Sequence, residues 1–419
     1  MGYEEDVDSR RDARGGRRRR RPLRALAAAV GVVALLGVLT IAGYLFYLQR
    51  TVEGNIEQAD LRPTENARIT ISPDVYGARQ PGDPTAATGD ASGGEQDDGQ
   101  VEGEDTAEGD GPGEGEGDLG DEGEEEVAPV VGPDGQELDV AGIEVVATNP
   151  ERPPSAGDAL NFLIIGTDSR DLSVERGRSD VIVLMHVNDE RDRVDLVHFP
   201  RDLFVPIAGT GGSSKINAAY SYGGAPLLLQ TLQPLIGVPI DHVVIVNFDS
   251  FRAMTDAIGG VEVMVTEAGG GFSTGLHHMN GEEGLRFVRE RYSLSQGDIS
   301  RGERQMQFIK GIMNKALSRE TLTNPARLAN FVDAASTNLT VDADLEVGAM
   351  RDLGFSMRGV RGGDIHFWQG PWNGIDMHPV AGSIVLMADA QMARLAHHLQ
   401  SDTMESYVDD VSPRQGFGG

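Results

Sequence analysis

Between Arg79 and Arg152 the chain has no lysine or arginine, about two dozen Asp and Glu, and almost no large apolar side chain. A stretch built of Gly, Asp, Glu and Pro has too little apolar surface to offset the entropy of ordering it. No core can run through it. Most of the net charge of −30 over 419 residues resides there, so the acidity says little about the folded part. Even as a neutral coil its roughly 75 residues have a root-mean-square reach of about 45–50 Å, and like charges extend it further. We read residues 50–155 as an acidic extracytoplasmic linker, largely disordered, with enough apolar content at Ile56 to Tyr76 for local order there. What can fold as one sizeable core is 156–400, with 401–419 as a C-terminal tail.

Ahead of the linker, Arg17 to Arg21 and Arg24 make 1–24 a basic segment, and residues 25–49 carry no charge. About 25 helical residues match a hydrocarbon layer of about 30 Å. Tyr44 and Tyr47 suit the far interface, and the arginines keep the near side cytoplasmic. The run exceeds a secretory h-region and ends in no small-residue cleavage site, which argues against a cleaved leader. The expectation is a single transmembrane helix in the cell membrane, with everything after Gln49 outside. The chain has no cysteine, which excludes disulfides and thiolate chemistry.

In the folded region, apolar runs at 159–165, 180–187 and 193–199 read as strands, the last two forming an antiparallel hairpin around Asn188-Asp189-Glu190. Helical periodicity covers 225–236, 249–258 with Asp249 as N-cap, 282–291, 301–317, 325–335 and 386–399; strands are expected at 241–248 and 261–265. Strands interleaved with helices imply an α/β fold, a mixed central sheet flanked by helices on both faces.

Charged residues gather where these elements end. Asp168 and Arg170 follow the first strand, Asp180 opens the second, and Arg201 follows the third. If the first two strands are neighbours, Asp168 and Asp180 meet at one sheet edge. Two carboxylates suit Mg²⁺, with Mn²⁺ as the alternative, because Mg²⁺ fills its other positions with water and phosphate oxygens. Turn capping by both aspartates is the competing reading. Arg289 and Arg291 stand at a helix end, and Arg301, Arg304 and Gln305 share one face of the next helix at i, i+3, i+4. Asp298 precedes them as a cap or as an orienting partner for an arginine. The planar guanidinium fork fits phosphate oxygens in pairs, so the group reads as a diphosphate site. A surface ion-pair network with Glu282, Glu283, Glu290 and Glu303 is the alternative. The Gly209–Lys215 loop lacks the glycine before lysine that a phosphate loop needs, and His277-His278 reads as an ordinary loop pair.

These residues resemble a known family, the LytR-CpsA-Psr cell-envelope proteins, over about 161–315. The likeness rests on GTDSR at 166–170, RSD at 178–180, PRD at 200–202, KINAAY at 215–220 with Gly223-Gly224, and IGGVEV at 258–263. It continues in Arg289-x-Arg291 and in Gly297-Asp298-x-x-Arg301-x-x-Arg304-Gln305. The resemblance implies a three-layer α/β/α sandwich and a phosphotransferase at the outer membrane face. Such an enzyme moves a glycopolymer with one phosphate from a polyprenyl diphosphate to peptidoglycan; teichoic acid, capsule and arabinogalactan-type chains all remain open. Its partners would be that lipid-linked polymer, peptidoglycan and membrane lipid, with no nucleic acid. Asp168 and Asp180 would hold Mg²⁺. Arg201, Arg289, Arg291, Asp298 and Arg301 would form the catalytic set, with Arg170, Arg304 and Gln305 joining the arginines in substrate binding. A lipid-diphosphate hydrolase and a non-enzymatic envelope protein that holds anionic polymer are the rival readings. His198-Phe199 before Pro200, Glu290 between the paired arginines and the long acidic tract depart from the family pattern.

Overall fold

A computed structural model describes residues 40, 42–72, 127–167, 179–337 and 339–409. In chain order the early strands are β1 (Glu57–Ala59), β2 (Arg68–Thr70), β3 (Glu144–Val146), β4 (Leu160–Thr167), β5 (Ser179–Val187) and β6 (Val194–Phe199). Next come β7 (Leu203–Pro206), β8 (Ser213–Lys215), helix α1 (Ile216–Ile236), β9 (His242–Asn247), helix α2 (Phe248–Ala257), β10 (Val261–Val265) and β11 (Gly275–Met279). Helices α3 (Gly281–Arg289), α4 (Asp298–Ala316), α5 (Arg319–Leu322) and α6 (Pro325–Ser336) lead to β12 (Leu339–Asp342) and α7 (Val347–Ser356). The chain closes with β13 (Ile365–Gln369), β14 (Trp372–His378), β15 (Gly382–Met387) and α8 (Asp389–Ser401).

The central sheet is seven-stranded and mixed, in the order β1-β12-β9-β4-β5-β6-β13. β4 lies antiparallel to β5 and parallel to β9, and β5 and β6 form the expected antiparallel hairpin. Side chains alternate along β4: Leu163 and Ile165 enter the core beneath α1 and α8, whereas Phe162 and Ile164 face the core shared with α4 and α7. The α/β expectation with both faces covered therefore holds. A four-stranded sheet, β14-β15-β7-β8, and the hairpin β10-β11 stand beside it.

Several elements differ from the expectation. α1 starts at Ile216, nine residues early, and is interrupted at Gly223 and Gly224, where Gly224 adopts φ 63°. A left-handed residue there suits glycine and hides the first half from a periodicity reading. Helix α2 is capped by Asn247, whose side chain accepts from Ser250 N, rather than by Asp249. The tail is not free, since Met404 and Tyr407 are buried in the main core.

The largest correction concerns 50–155. Residues 42–55 are helical, and Tyr44 Oη donates to the Pro325 carbonyl at 2.7 Å. Asn55 bonds Asp333 and Ser336 on α6, and β1 then pairs in parallel with β12 at the sheet edge. Leu61, Ile69, Ile71, Val130, Val140 and Val145 are buried in the main core, so both flanks of the acidic tract belong to the domain. Val130, Val140 and Val145 sit among Gly, Asp and Glu, which masked them in the composition, whereas the local order expected at Ile56 to Tyr76 proves to be part of the domain. One residue grips both flanks: Ser72 N donates to Tyr222 O, and Tyr222 Oη donates to Ala128 O. Most of the expected membrane span, 25–39 and 41, and the acidic segment 73–126 lie outside the described residues. Among the described residues no helix is long and apolar enough to cross a membrane.

A chain started at Ser155 should therefore melt about 10 °C or more below one started at Thr51, because each buried Val, Leu or Ile side chain contributes about 1.5–3 kcal/mol and each kcal/mol shifts a domain of this size by about 2–4 °C. Excising 74–125 through a short Gly-Ser join should shift the melt by no more than about 2 °C, since closure entropy depends only weakly on loop length. Calorimetry on the three chains compares them directly; equal melting of the first two would show that the flanks contribute nothing.

Candidate active site

Strand register builds the first half of the site. Because Ile182 pairs with Phe199, extending the antiparallel register by two residues sets Asp180 opposite Arg201. Arg201 Nη1 donates to Asp180 Oδ1 at 2.8 Å, with the guanidinium nearly buried. The second half comes from α4. Asp298 is its first residue, behind an N-cap glycine that offers no side-chain cap, so its carboxylate is directed at arginines rather than at the helix end. Arg301, one turn on, places Nη2 2.8 Å from Asp298 Oδ1 and 4.0 Å from Asp180 Oδ1. Arg201 Nη2 donates to Asp298 Oδ2 at 3.1 Å, and Arg291 Nη1 lies 4.0 Å from Asp298 Oδ1.

Two glycines set how close these halves come. A Cβ on Gly302 would lie 2.3 Å from the His198 ring, and one on Gly370 would lie 2.7 Å from Phe199. The unusual His198-Phe199 pair thus fits because its neighbours have no side chain. Burial pushes the His198 ring down to about 4; its contact with Gln369 opposes the shift and the charge of Arg301 adds to it. The ring is neutral at neutral pH, which a side chain beside Arg301 must be.

Asp202 and Lys215 extend the network. Lys215 Nζ is 3.3 Å from Asp202 Oδ1, and Asp202 hydrogen-bonds Asp298. Burial pushes the Asp202 carboxyl up to about 6 against the pull of Arg201 and Lys215, with Asp298 adding to the rise. Burial opposes charge on Asp298 too, but Arg301, Arg201 and Arg291 outweigh it and hold that group down to about 2. Sequence reasoning passed over both Asp202 and Lys215, although each stands in a quoted motif, PRD and KINAAY. What the motifs could not show is that β7 and β8, between them, are neighbouring strands that return Lys215 to Asp202.

The other expected residues divide. Arg201, Arg291, Arg301, Asp180 and Asp298 come together. Arg289 is exposed at the last turn of α3. Arg304, expected to bind substrate, instead donates through Nη2 to the carbonyls of Glu267 and Gly269, both at 3.0 Å, and stacks on Phe287 at 4.5 Å. It clamps α4 to a loop, because a buried guanidinium takes whatever acceptors its own helix faces. Gln305 is buried, and its Oε1 has no hydrogen-bond partner among the described residues. Asp168 and Arg170 lie outside the described residues.

The cluster opens into a cleft of about 250 Å³ whose lining includes Asp202, Arg291, Tyr292, Asp298, Ile375 and Ser383. Four cations, Arg201, Arg291, Arg301 and Lys215, face three carboxylates, Asp180, Asp202 and Asp298. A buried excess of cation beside an open cleft favours an anionic ligand.

A mixed sheet with this arginine–aspartate cluster at one end defines the class. The model of the LytR_cpsA_psr family matches residues 136–401, and the chain belongs to that family. Among curated relatives, the polyisoprenyl-teichoic acid–peptidoglycan teichoic acid transferase TagU of Bacillus subtilis (strain 168) is 37% identical over 190 residues, 44% of this chain and 61% of the relative. The protein of the same name from Halalkalibacterium halodurans is 32% identical over 210 residues, 49% of this chain and 67% of the relative. The match thus spans roughly two thirds or less of each relative's length. The crystal structure of B. subtilis TagV superposes with a TM-score of 0.50 at 25% identity, covering 61% of this chain and 98% of that one. Protein gbs0355 from Streptococcus agalactiae gives 0.52 at 21% identity, covering 59% and 88%, and shares the fold.

Two outcomes follow from this geometry. Arg304→Ala should lower stability by about 1.5–3 kcal/mol, since it leaves two carbonyls without their charged donor, whereas Arg291→Ala should leave urea melts nearly unchanged. The second concerns pH. The folded-state pKa of His198 is lowered from 6.5 to about 4, so its stabilisation is fully present above 6.5 and lost as pH falls through about 4. That of Asp202 is raised from 3.8 to about 6, so its contribution is present below 3.8 and lost as pH rises through about 6. The two oppose each other between these limits. Urea melts of Asp202→Asn should therefore reveal stability that falls towards acid more steeply than in the parent; an unchanged slope would show that Asp202 does not titrate there.

Proposed function

We propose that the chain is a membrane-anchored phosphotransferase that moves a glycopolymer, with one phosphate, from a polyprenyl diphosphate to a hydroxyl of peptidoglycan. The observation that carries this reading is the convergence of Arg201, Arg291 and Arg301 on Asp298 beside an open cleft. The curated relatives' names favour a teichoic acid-type polymer. Residues 25–49 would hold the domain at the outer face, and the exposed Leu45, Phe46 and Tyr47 are consistent with lipid contact.

In the reaction, the acceptor oxygen forms a bond to the phosphorus that carries the polymer, and the bond from that phosphorus to polyprenyl phosphate breaks. The hydroxyl proton leaves to a base and the leaving group departs as polyprenyl phosphate. Arginines at fixed positions neutralise the charge that develops on the phosphoryl oxygens, the dominant contribution in such transfers. Asp298, with its low proton affinity, suits the orientation of Arg201 and Arg301. Asp202, at about 6, is the better-matched base in the cleft. The carboxylate of Asp180 is a hard oxygen donor and Asp298 Oδ1, off the hydrogen-bond axis of its arginine partner, keeps acceptor capacity, so the donor chemistry fits Mg²⁺. Asp180, with Asp168, would hold the cation, which when bound supplies further charge neutralisation on the diphosphate.

Arg201→Lys, Arg291→Lys and Arg301→Lys should each slow single-turnover transfer from a polyprenyl-diphosphate donor at least about tenfold, about 1.4 kcal/mol in the barrier, because lysine keeps the charge and loses the fork. The same assay tests Asp180→Ala, which should abolish transfer, as should chelation of divalent cations. Normal turnover in all of these variants would leave only a structural ion-pair network. Release of free phosphorylated polymer without attachment would identify a hydrolase.

A further inference from the structure

The N-terminal helix, residues 42–55, is fastened to the domain along its length, and the fastenings give its neighbours a direction. Near its start Tyr44 Oη donates to the Pro325 carbonyl at 2.7 Å, where α6 begins. Near its end Asn55 Nδ2 donates to Asp333 Oδ1 at 2.9 Å, in the last turn of α6. α6 therefore runs alongside in the same sense, and the turn from Leu322 to Pro325 stands level with Tyr44. α7 runs the other way. Asp344, just before it, is ion-paired with Arg62 beyond β1, and by Arg351 it has reached Gln49, where Nη1 donates to Gln49 Oε1 at 3.2 Å. Four more residues carry it about 6 Å farther and bring Phe355 to the level of Leu45. Tyr44 and Gln49 point about 140° apart around their helix, so α6 and α7 grip it from different sides.

Exposed apolar side chains thus share one level: Leu45, Phe46 and Tyr47 on the helix, Leu322 on α5, and Phe355 on α7, the last 69% exposed. Cations share it too. Residues 315–327 hold Lys315, Arg319 and Arg327 against Glu320, and residues 351–361 hold Arg351, Arg358 and Arg361 against Asp352, a positive rim on a chain of net charge −30. Both acids are engaged within the rim, Glu320 by Lys315 and Arg327, Asp352 by Arg351. Arg358 rides with the aromatic tip, its guanidinium 4.8 Å from the Phe355 ring centre.

We propose that this rim seats the domain on an anionic bilayer, with Leu322 and Phe355 entering the headgroup layer beside the anchor and Arg319 and Arg358 on lipid phosphates. The expected span ends at Gln49, so its last turns are those that the domain grips. A span gripped in this way cannot hold the domain at a distance; whatever stands level with Leu45 comes to the interface with it. Aromatic and aliphatic tips suit that layer, and the guanidinium fork and the surface potential favour arginine there. Contacts on two sides of the helix would fix the tilt of the domain as well as its height. The seat rests on the membrane-anchored reading of residues 25–49.

The chain has no cysteine, so single nitroxide labels can be set at Leu322→Cys, Phe355→Cys and Leu45→Cys, with Leu276→Cys on the β10–β11 hairpin as an exposed control. The full chain would be reconstituted in vesicles of phosphatidylcholine and phosphatidylglycerol, and collision of each label with oxygen and with an aqueous nickel chelate read by EPR. Labels at 322 and 355 should favour oxygen, as at 45, and the label at 276 should favour nickel. Arg319→Gln and Arg358→Gln should each lower the ratio of seated to unseated label about fivefold, the contribution of one basic residue near an anionic leaflet, and vesicles of phosphatidylcholine alone should lower it further. Lipid contact at 45 with water contact at 322 and 355 would overturn the seat and leave the anchor standing. Water contact at all four sites would overturn the anchor and the seat with it. Protection of 322 and 355 from both reagents would mean that a protein, a second copy included, covers the rim, and lipid contact indifferent to both arginines and to lipid charge would overturn the anionic partner.

Discussion

The site depends on a close approach of helix to strand. α4 crosses β6 where Gly302 meets the His198 ring, and the distance there fixes how near Arg301 and Asp298 come to the Arg201 that ends the strand. On the other side, the antiparallel register of β5 and β6 brings Asp180 to the same arginine. Neither constraint is electrostatic. Packing and backbone pairing are strong enough to force like charges together, and the aspartates then settle between them. An alanine at position 302 would have to displace a packed ring whose neighbour Phe199 has Gly370 behind it, so the geometry has little slack.

Such a cluster is a poor way to stabilise a protein. Buried ion pairs often cost about as much in desolvation as they return in attraction, and replacement by apolar groups is commonly neutral or better. Here cations outnumber carboxylates, and one carboxylate keeps its proton up to about pH 6. The surrounding core, buried on both faces of a seven-stranded sheet, holds the arrangement in place. The physical reading is of an apolar framework that keeps charges preorganised for a ligand with more negative charge than the site can supply from its own residues.

The sequence made the central part of this legible. Apolar runs at 159–165, 180–187 and 193–199 read as strands, the last two as a hairpin, and the structure sets all three side by side; of the arginine–aspartate pattern at 289–305, Arg291, Asp298 and Arg301 come together. Arg301 and Arg304, one turn apart on one helix, both read as substrate-binding, with only Arg301 in the catalytic set. The structure separates them, because a difference of one turn carries Arg304 past the strand ends to the carbonyls of Glu267 and Gly269. That Tyr292 and Ile375 line one cleft was not visible, since the elements that bear them are far apart in the chain and no local pattern links them. The buried valines between Val127 and Ala147 were hidden by their acidic surroundings; composition averages over a window, whereas burial is decided one side chain at a time.

Tyr222 holds the residue before the acidic segment with its backbone and the residue after it with its hydroxyl. Where both flanks of a segment are fastened to one residue, its contour length does not enter the distance between its flanking elements. The position of the arginine–aspartate cluster relative to the N-terminal helix is then set elsewhere, by the run of residues 42–55 into β1 and the sheet edge. Lengthening or shortening the acidic segment would leave that distance untouched, while one extra residue between Asn55 and Glu57 would alter the register by which the helix joins the sheet.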